Sequence, residues 1–106
     1  MRGILPRKEH TTTPKVIGYT LYTEAEAIQL ESSAWFEWLA SHTTFYLETP
    51  DGTFTARREL RKGAVFWYAF RRYKKKLYKA YLGKTVDITV ARLREVARRL
   101  ADKAGA

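Results

Sequence analysis

The stretch AVFWYAFRRYKKKLYKAYLG, residues 64–83, places two aromatic-rich runs on either side of three lysines. Val65–Tyr73 is rich in β-branched and aromatic residues and reads as a strand. Leu77–Leu82 reads as its return, with Lys74, Lys75 and Lys76 in or near the connection and Gly83 ending the run. Working upstream, Lys62-Gly63 marks a turn and Thr53–Leu60 an earlier strand. Pro50-Asp51-Gly52 is a turn in which Pro presets φ and Gly tolerates positive φ, and Thr44–Glu48 precedes it as a strand. Downstream, Thr89 caps a helix over Val90–Lys103, whose stripe is Val90, Leu93, Val96, Ala97 and Leu100. Nearer the start, Ser32-Ser33 offers a cap for a helix carrying Trp35, Trp38, Leu39 and His42 at helical spacing. Val16–Tyr22 reads as a short strand, and Thr23-x-x-Glu26 has the form of a capping box.

The expected fold is therefore α+β. An antiparallel sheet of three to four strands has the C-terminal helix packed on one face and a short aromatic helix before it. Residues 1–15, with Arg2, Arg7, Lys8, Pro6 and Pro14 and no periodicity, are expected to be a flexible basic tail; residues 16–106 form one α+β domain. A chain of 106 residues is the ordinary size for a single core. It has no cysteine, which excludes disulfides and thiolate metal sites, and no apolar run long enough to span a bilayer. No secretory signal opens the chain, so a cytoplasmic protein without a membrane partner is expected.

The net charge of +9 is unevenly placed. Residues 16–54 contain no Lys or Arg and six acids, whereas residues 55–85 hold eleven bases against Glu59 alone. Most basic runs are solvated surface, but a block this unbalanced repels itself unless anions meet it, which points to a polyanionic partner.

Strand periodicity separates two faces of the sheet. The more apolar sets, Phe54, Ala56, Leu60, Phe66, Tyr68, Phe70, Tyr78, Ala80 and Leu82, are assigned to the core. The other face then offers Arg57, Trp67, Arg71, Tyr73, Lys79 and Tyr81, with Arg61, Lys74, Lys75, Lys76 and Lys84 at its edges. Arg58 and Arg72 fall on the presumed core side, so they reach the sheet edge by snorkelling or the register is off by one. Cations bind phosphates, arginine also reads guanine edges, and aromatics stack on bases or pack on sugars and thymine methyls.

Several of these strings resemble a known module. Trp35 with Trp38, Thr53-x-Thr55-Ala56-Arg57, Trp67-Tyr68-Ala69 and Lys79-Ala80-Tyr81-Leu82-Gly83-Lys84, within residues 33–101, look like a short bacterial module. It precedes the ATP-binding and helix-turn-helix parts of LuxR-class regulators of the maltose-activator type, or stands nearly alone. The resemblance implies a transcription-regulatory setting. More distantly, the strand–strand–strand–helix order and the Lys79–Gly83 strand are similar to the three-stranded DNA readers of integrase arm-type and plant ethylene-response-factor domains. There the sheet enters the major groove, and the resemblance implies that Lys79 and Tyr81 would face DNA.

The expected function is nucleic-acid binding, with double-stranded DNA as the partner and RNA as the alternative. Single-strand binding by stacking on Trp67, Tyr73 and Tyr81, and a protein-interaction or sensor module, are the competing readings. No nucleophile elbow, phosphate loop or metal-ligand spacing occurs, so neither an enzyme nor a cofactor or metal site is expected.

Overall fold

In the computed structural model, which describes residues 13–105, three short strands come first: β1 (Lys15–Ile17), β2 (Thr20–Tyr22) and β3 (Ala27–Gln29). Helix α1 (Ser33–Ser41) follows. Four longer strands are β4 (Thr44–Thr49), β5 (Gly52–Arg61), β6 (Ala64–Tyr73) and β7 (Lys76–Gly83). A 3-10 turn (Thr85–Asp87) leads into helix α2 (Val90–Ala104). The α+β class holds, but the sheet is larger than three or four strands. Its order is β3-β2-β1-β4-β5-β6-β7, antiparallel throughout except for the parallel β1–β4 pair.

The additional strands lie where single-strand patterning is weakest. Val16–Tyr22 is not one strand: the chain reverses after Gly18, at φ 65°, so Val16 pairs with Leu21 across a hairpin. Thr23 Oγ1 does accept from the N–H groups of Ala25 and Glu26, at 3.1 and 3.0 Å, but the turn feeds β3 instead of a helix. The expected tail, residues 1–15, falls mostly outside the described residues. Its last member, Lys15, already belongs to β1.

The helices start where their caps predict. Ser32 Oγ accepts from Trp35 N–H at 3.2 Å, and Thr89 Oγ1 accepts from Arg92 N–H at 3.2 Å. Val90 N–H also donates to the Glu31 carboxylate at 2.6 Å, which binds the start of α2 to the loop before α1. Arg58 lies on the helix side of the sheet as its position in β5 requires. Its guanidinium donates to the Ala40 carbonyl at 2.8 Å and so closes the end of α1. His42 ends α1, its ring stacked on Trp38 at 4.2 Å.

Both helices pack on the same face of the sheet. Trp35 and Trp38 of α1 meet Phe45, which in turn meets Trp67, and Leu93, Val96, Ala97 and Leu100 of α2 complete one continuous core. Ala56, Ala69 and Ala80 are paired in a row across β5, β6 and β7. On the helix-side face these small side chains let α2 approach the strands, which it touches along β5, β6 and β7. Trp67 is fully buried and its indole N–H donates to Thr85 Oγ1 at 3.2 Å; the Trp35 indole donates to the Ile88 carbonyl at 2.9 Å. Each buried ring thus has its polar atom satisfied.

Helix α2 is tied to the far end of the sheet through Asp51 in the β4–β5 turn. The Asp51 carboxylate accepts from Arg94 at 2.6 Å and lies 3.4 Å from Arg98. The Arg94 hydrogen bond holds its carboxyl below the ordinary 3.8, against a smaller opposing effect of burial. A depressed folded-state value contributes stability above the unfolded pKa and loses it as pH falls through the folded one. The wild-type advantage over Asp51→Asn in urea unfolding is therefore expected to be constant from pH 7 to pH 5 and to shrink below about pH 4. A pH-independent difference would mean that the pair contributes nothing through its charge.

Candidate nucleic-acid interface

Two turns of two residues each determine which side chains share the exposed face. Lys62-Gly63 makes Arg61 the partner of Ala64, and hence Arg57 the partner of Tyr68. Lys74-Lys75 makes Tyr73 the partner of Lys76, and hence Phe70 the partner of Lys79 and Tyr68 of Tyr81. Directly paired residues point to the same side of a sheet. Among the described residues, the face without helices therefore carries Thr55, Arg57, Glu59 and Arg61 from β5. It adds Phe66, Tyr68, Phe70 and Arg72 from β6, and Leu77, Lys79 and Tyr81 from β7.

This corrects the expected partition in one strand. The alternation of β5 and β7 is as read, but Leu60, assigned to the core, is 73% exposed near the end of β5, and β6 is inverted: Phe66, Tyr68 and Phe70 face outward, and Trp67, Arg71 and Tyr73 face the helices. The physical reason is size and fit. The central core position opposite Phe45 takes the largest ring, Trp67, while Ala69 gives α2 room. Arg71 lies on the helix side, its buried Nη1 without a hydrogen-bond partner and 3.2 Å from where a Cβ on Gly52 would stand. Tyr73 lies under that guanidinium, 5.7 Å from ring centre to carbon. None of these three belongs to the exposed face. Arg72, assigned to the core, is exposed on the open face.

The remaining expected residues divide by location. Arg57, Arg61, Lys79 and Tyr81 come together on the open face. Lys74 and Lys75 form the exposed β6–β7 turn. Lys76 starts β7 on the helix-side alternation, with Nζ 5.3 Å from the Tyr78 ring, and Lys84 follows the end of β7.

On the open face the cations lie over the rings. Lys79 Nζ is 4.4 Å from the centre of Tyr68 and 5.3 Å from Phe70, the Arg61 guanidinium is 4.9 Å from Tyr68, and Arg57 is 5.9 Å from Phe70. Tyr81 meets Tyr68 edge-on at 5.6 Å and keeps 46% of its surface exposed. Cations held against rings keep their charge while losing side-chain freedom, so less entropy would be lost on binding an anion. Glu59 is the one acid on this part of the face. It accepts from Arg61 at 2.7 Å and lies 3.6 Å from Lys79. The Arg61 hydrogen bond holds its carboxyl below the ordinary 4.5, with the Lys79 ammonium adding to the effect and partial burial opposing it.

Family models, curated proteins and solved structures were compared with this chain, and none matches. The face itself must carry the argument. It sets basic side chains among flat aromatic rings. Among the described residues no three His, Cys, Asp or Glu side chains cluster as metal ligands would, and no helix is long and apolar enough to cross a membrane.

A phosphate bound on this face would compete with Glu59 for Arg61 and Lys79. Glu59→Gln keeps the shape and removes the charge, so its affinity for a polyanion at low salt is expected to rise about two- to fivefold. Fluorescence polarisation with a labelled oligonucleotide reads this directly. An unchanged or lower affinity would place the anion elsewhere.

Proposed function

We propose that this chain is a nucleic-acid-binding module and not an enzyme, and that it contacts double-stranded DNA through the open face of β5, β6 and β7. The observation that carries the reading is the lattice of Arg57, Arg61 and Lys79 over Phe70 and Tyr68, on a face from which both helices are absent among the described residues. Arg57, Arg61, Arg72 and Lys79 meet phosphates or base edges, Lys74, Lys75, Lys76 and Lys84 add phosphate contacts at the hairpin ends, and Tyr81 packs on sugars. Three strands about 4.8 Å apart span roughly 10 Å of backbone, close to the roughly 12 Å width of the major groove. The full seven-stranded sheet, about 29 Å across, is too broad to enter, so the β7 side leads. The transcriptional setting and the groove entry expected from the sequence resemblances are part of this proposal.

A second reading has its own observation. Phe66, Tyr68 and Phe70 form a row of rings along β6, flanked by Tyr81, which suits stacking on single-stranded DNA or RNA. Competition of a labelled duplex by unlabelled duplex, single strand and RNA of one sequence decides between them. Duplex displacing most strongly supports groove binding, and stronger displacement by single strand or RNA supports the stacking row. No binding of any of the three at 0.15 M salt would leave the face as a protein-docking surface.

A further inference from the structure

Among the described residues, four that are not glycine have clearly positive φ: Glu31 at 67°, Lys62 at 52°, Lys74 at 50° and Lys75 at 68°. This region crowds a Cβ, and only glycine, with asparagine and aspartate behind it, visits it routinely. Glu31 has a structural return, since its carboxylate caps α2 at Val90. The other three are all lysines, all exposed, and all in two-residue hairpin turns. Such turns favour Asn-Gly or Asp-Gly because both central residues need positive φ. Here the first has Lys-Gly and the second Lys-Lys.

The two turns sit at opposite ends of β6. Ten residues from Ala64 to Tyr73 separate them by roughly 30 Å at about 3.3 Å per residue. That distance is close to one turn of B-form duplex, about 34 Å. Residues held in sparsely populated backbone conformations cluster at functional sites.

We propose that Lys62 at one end and Lys74-Lys75 at the other form a pair of phosphate clamps that set a footprint of about one turn of duplex along β6. This rests on the reading of the open face as a duplex-binding surface. The turns give up hairpin stability for charge, and the bound duplex must be long enough to reach both.

Turn chemistry and charge are separated by two sets of variants. Lys62→Asn and the double change Lys74→Asn with Lys75→Gly install favoured hairpin turns. Lys62→Gln and the double change Lys74→Gln with Lys75→Gln remove charge alone. Each is titrated by fluorescence polarisation with duplexes of 6, 10 and 14 base pairs over a salt series, and melted in parallel.

Wild-type affinity is expected to rise steeply from 6 to 10 base pairs and little beyond. The asparagine and glycine variants melt a few degrees higher, yet lose about eightfold in affinity per lysine removed at 0.1 M salt on the 10-base-pair duplex. Their salt slopes become shallower by about one per lysine, and the glutamine variants lose affinity equally without the gain in melting temperature. On the 6-base-pair duplex, which reaches only one turn, removing both sets costs no more than removing the more damaging one. Variants that keep wild-type affinity and slope at every length, while the wild type binds duplex, overturn the clamps and leave the face intact as a binding surface. A wild type that binds no duplex at 0.05 M salt overturns the clamps and the duplex reading together.

Discussion

Trp67→Ala is expected to destabilise the domain by about 3–5 kcal/mol, the usual cost of removing a buried tryptophan or phenylalanine. Its ring has no exposed surface, packs 5.5 Å from Phe45 and spends its N–H on Thr85. The loss combines transfer, cavity and an unpaired Thr85 hydroxyl, and is a large share of the roughly 5–15 kcal/mol that a domain of this kind possesses. Urea unfolding followed by tryptophan fluorescence checks it, and Trp67→Phe, which keeps most of the volume, should recover over half of the loss. If Trp67 stood on a contact face instead, the alanine variant would keep its stability and lose binding.

Reversing charge on the open face should have the largest effect on binding. The double variant Arg57→Glu with Lys79→Glu removes two phosphate contacts and adds two repulsions. Affinity for a 14-base-pair duplex is expected to fall roughly hundredfold or more at 0.1 M salt, and the log–log salt slope to become shallower by about two. Both residues are exposed, so melting temperature should move by only a few degrees. Arg71→Ala supplies the contrast: its guanidinium lies on the helix side, so the slope should stay at its wild-type value. Equal loss of slope in both variants would contradict the assignment of faces.

The elements from Ser32 onward were legible because their signals are local and strong. Two-residue turns, capping residues Ser32 and Thr89, and the α2 stripe each act within a few residues of themselves. Strands β1 and β2 were read as a single strand and β3 was missed, because three residues hold only one inward side chain each, Val16, Leu21 and Ile28, which is too little for alternation to register. Their place is decided by long-range pairing, above all the parallel match of Val16 with Leu47. The candidate face was legible in β5 and β7, where polar and apolar residues alternate. In β6 both sides are apolar or aromatic, so hydrophobicity alone chose wrongly between Trp67 and its neighbours Phe66 and Tyr68. The information was nonetheless present. Counting back from Lys62-Gly63 pairs Arg57 with Tyr68, and counting from Lys74-Lys75 pairs Tyr81 with the same residue. Turn length thus determined the face that composition left ambiguous.

The open face is tested most directly by backbone-amide NMR of the whole chain titrated with a short duplex. The expected shift changes lie along β5, β6 and β7 and in the turns at Lys62-Gly63 and Lys74-Lys75, with the arginine side-chain signals of Arg57, Arg61 and Arg72 moving as well. Residues on the exposed side of α2, such as Arg98 and Arg99, should stay unmoved. Changes concentrated on α1 and α2, with β6 silent, would contradict the account.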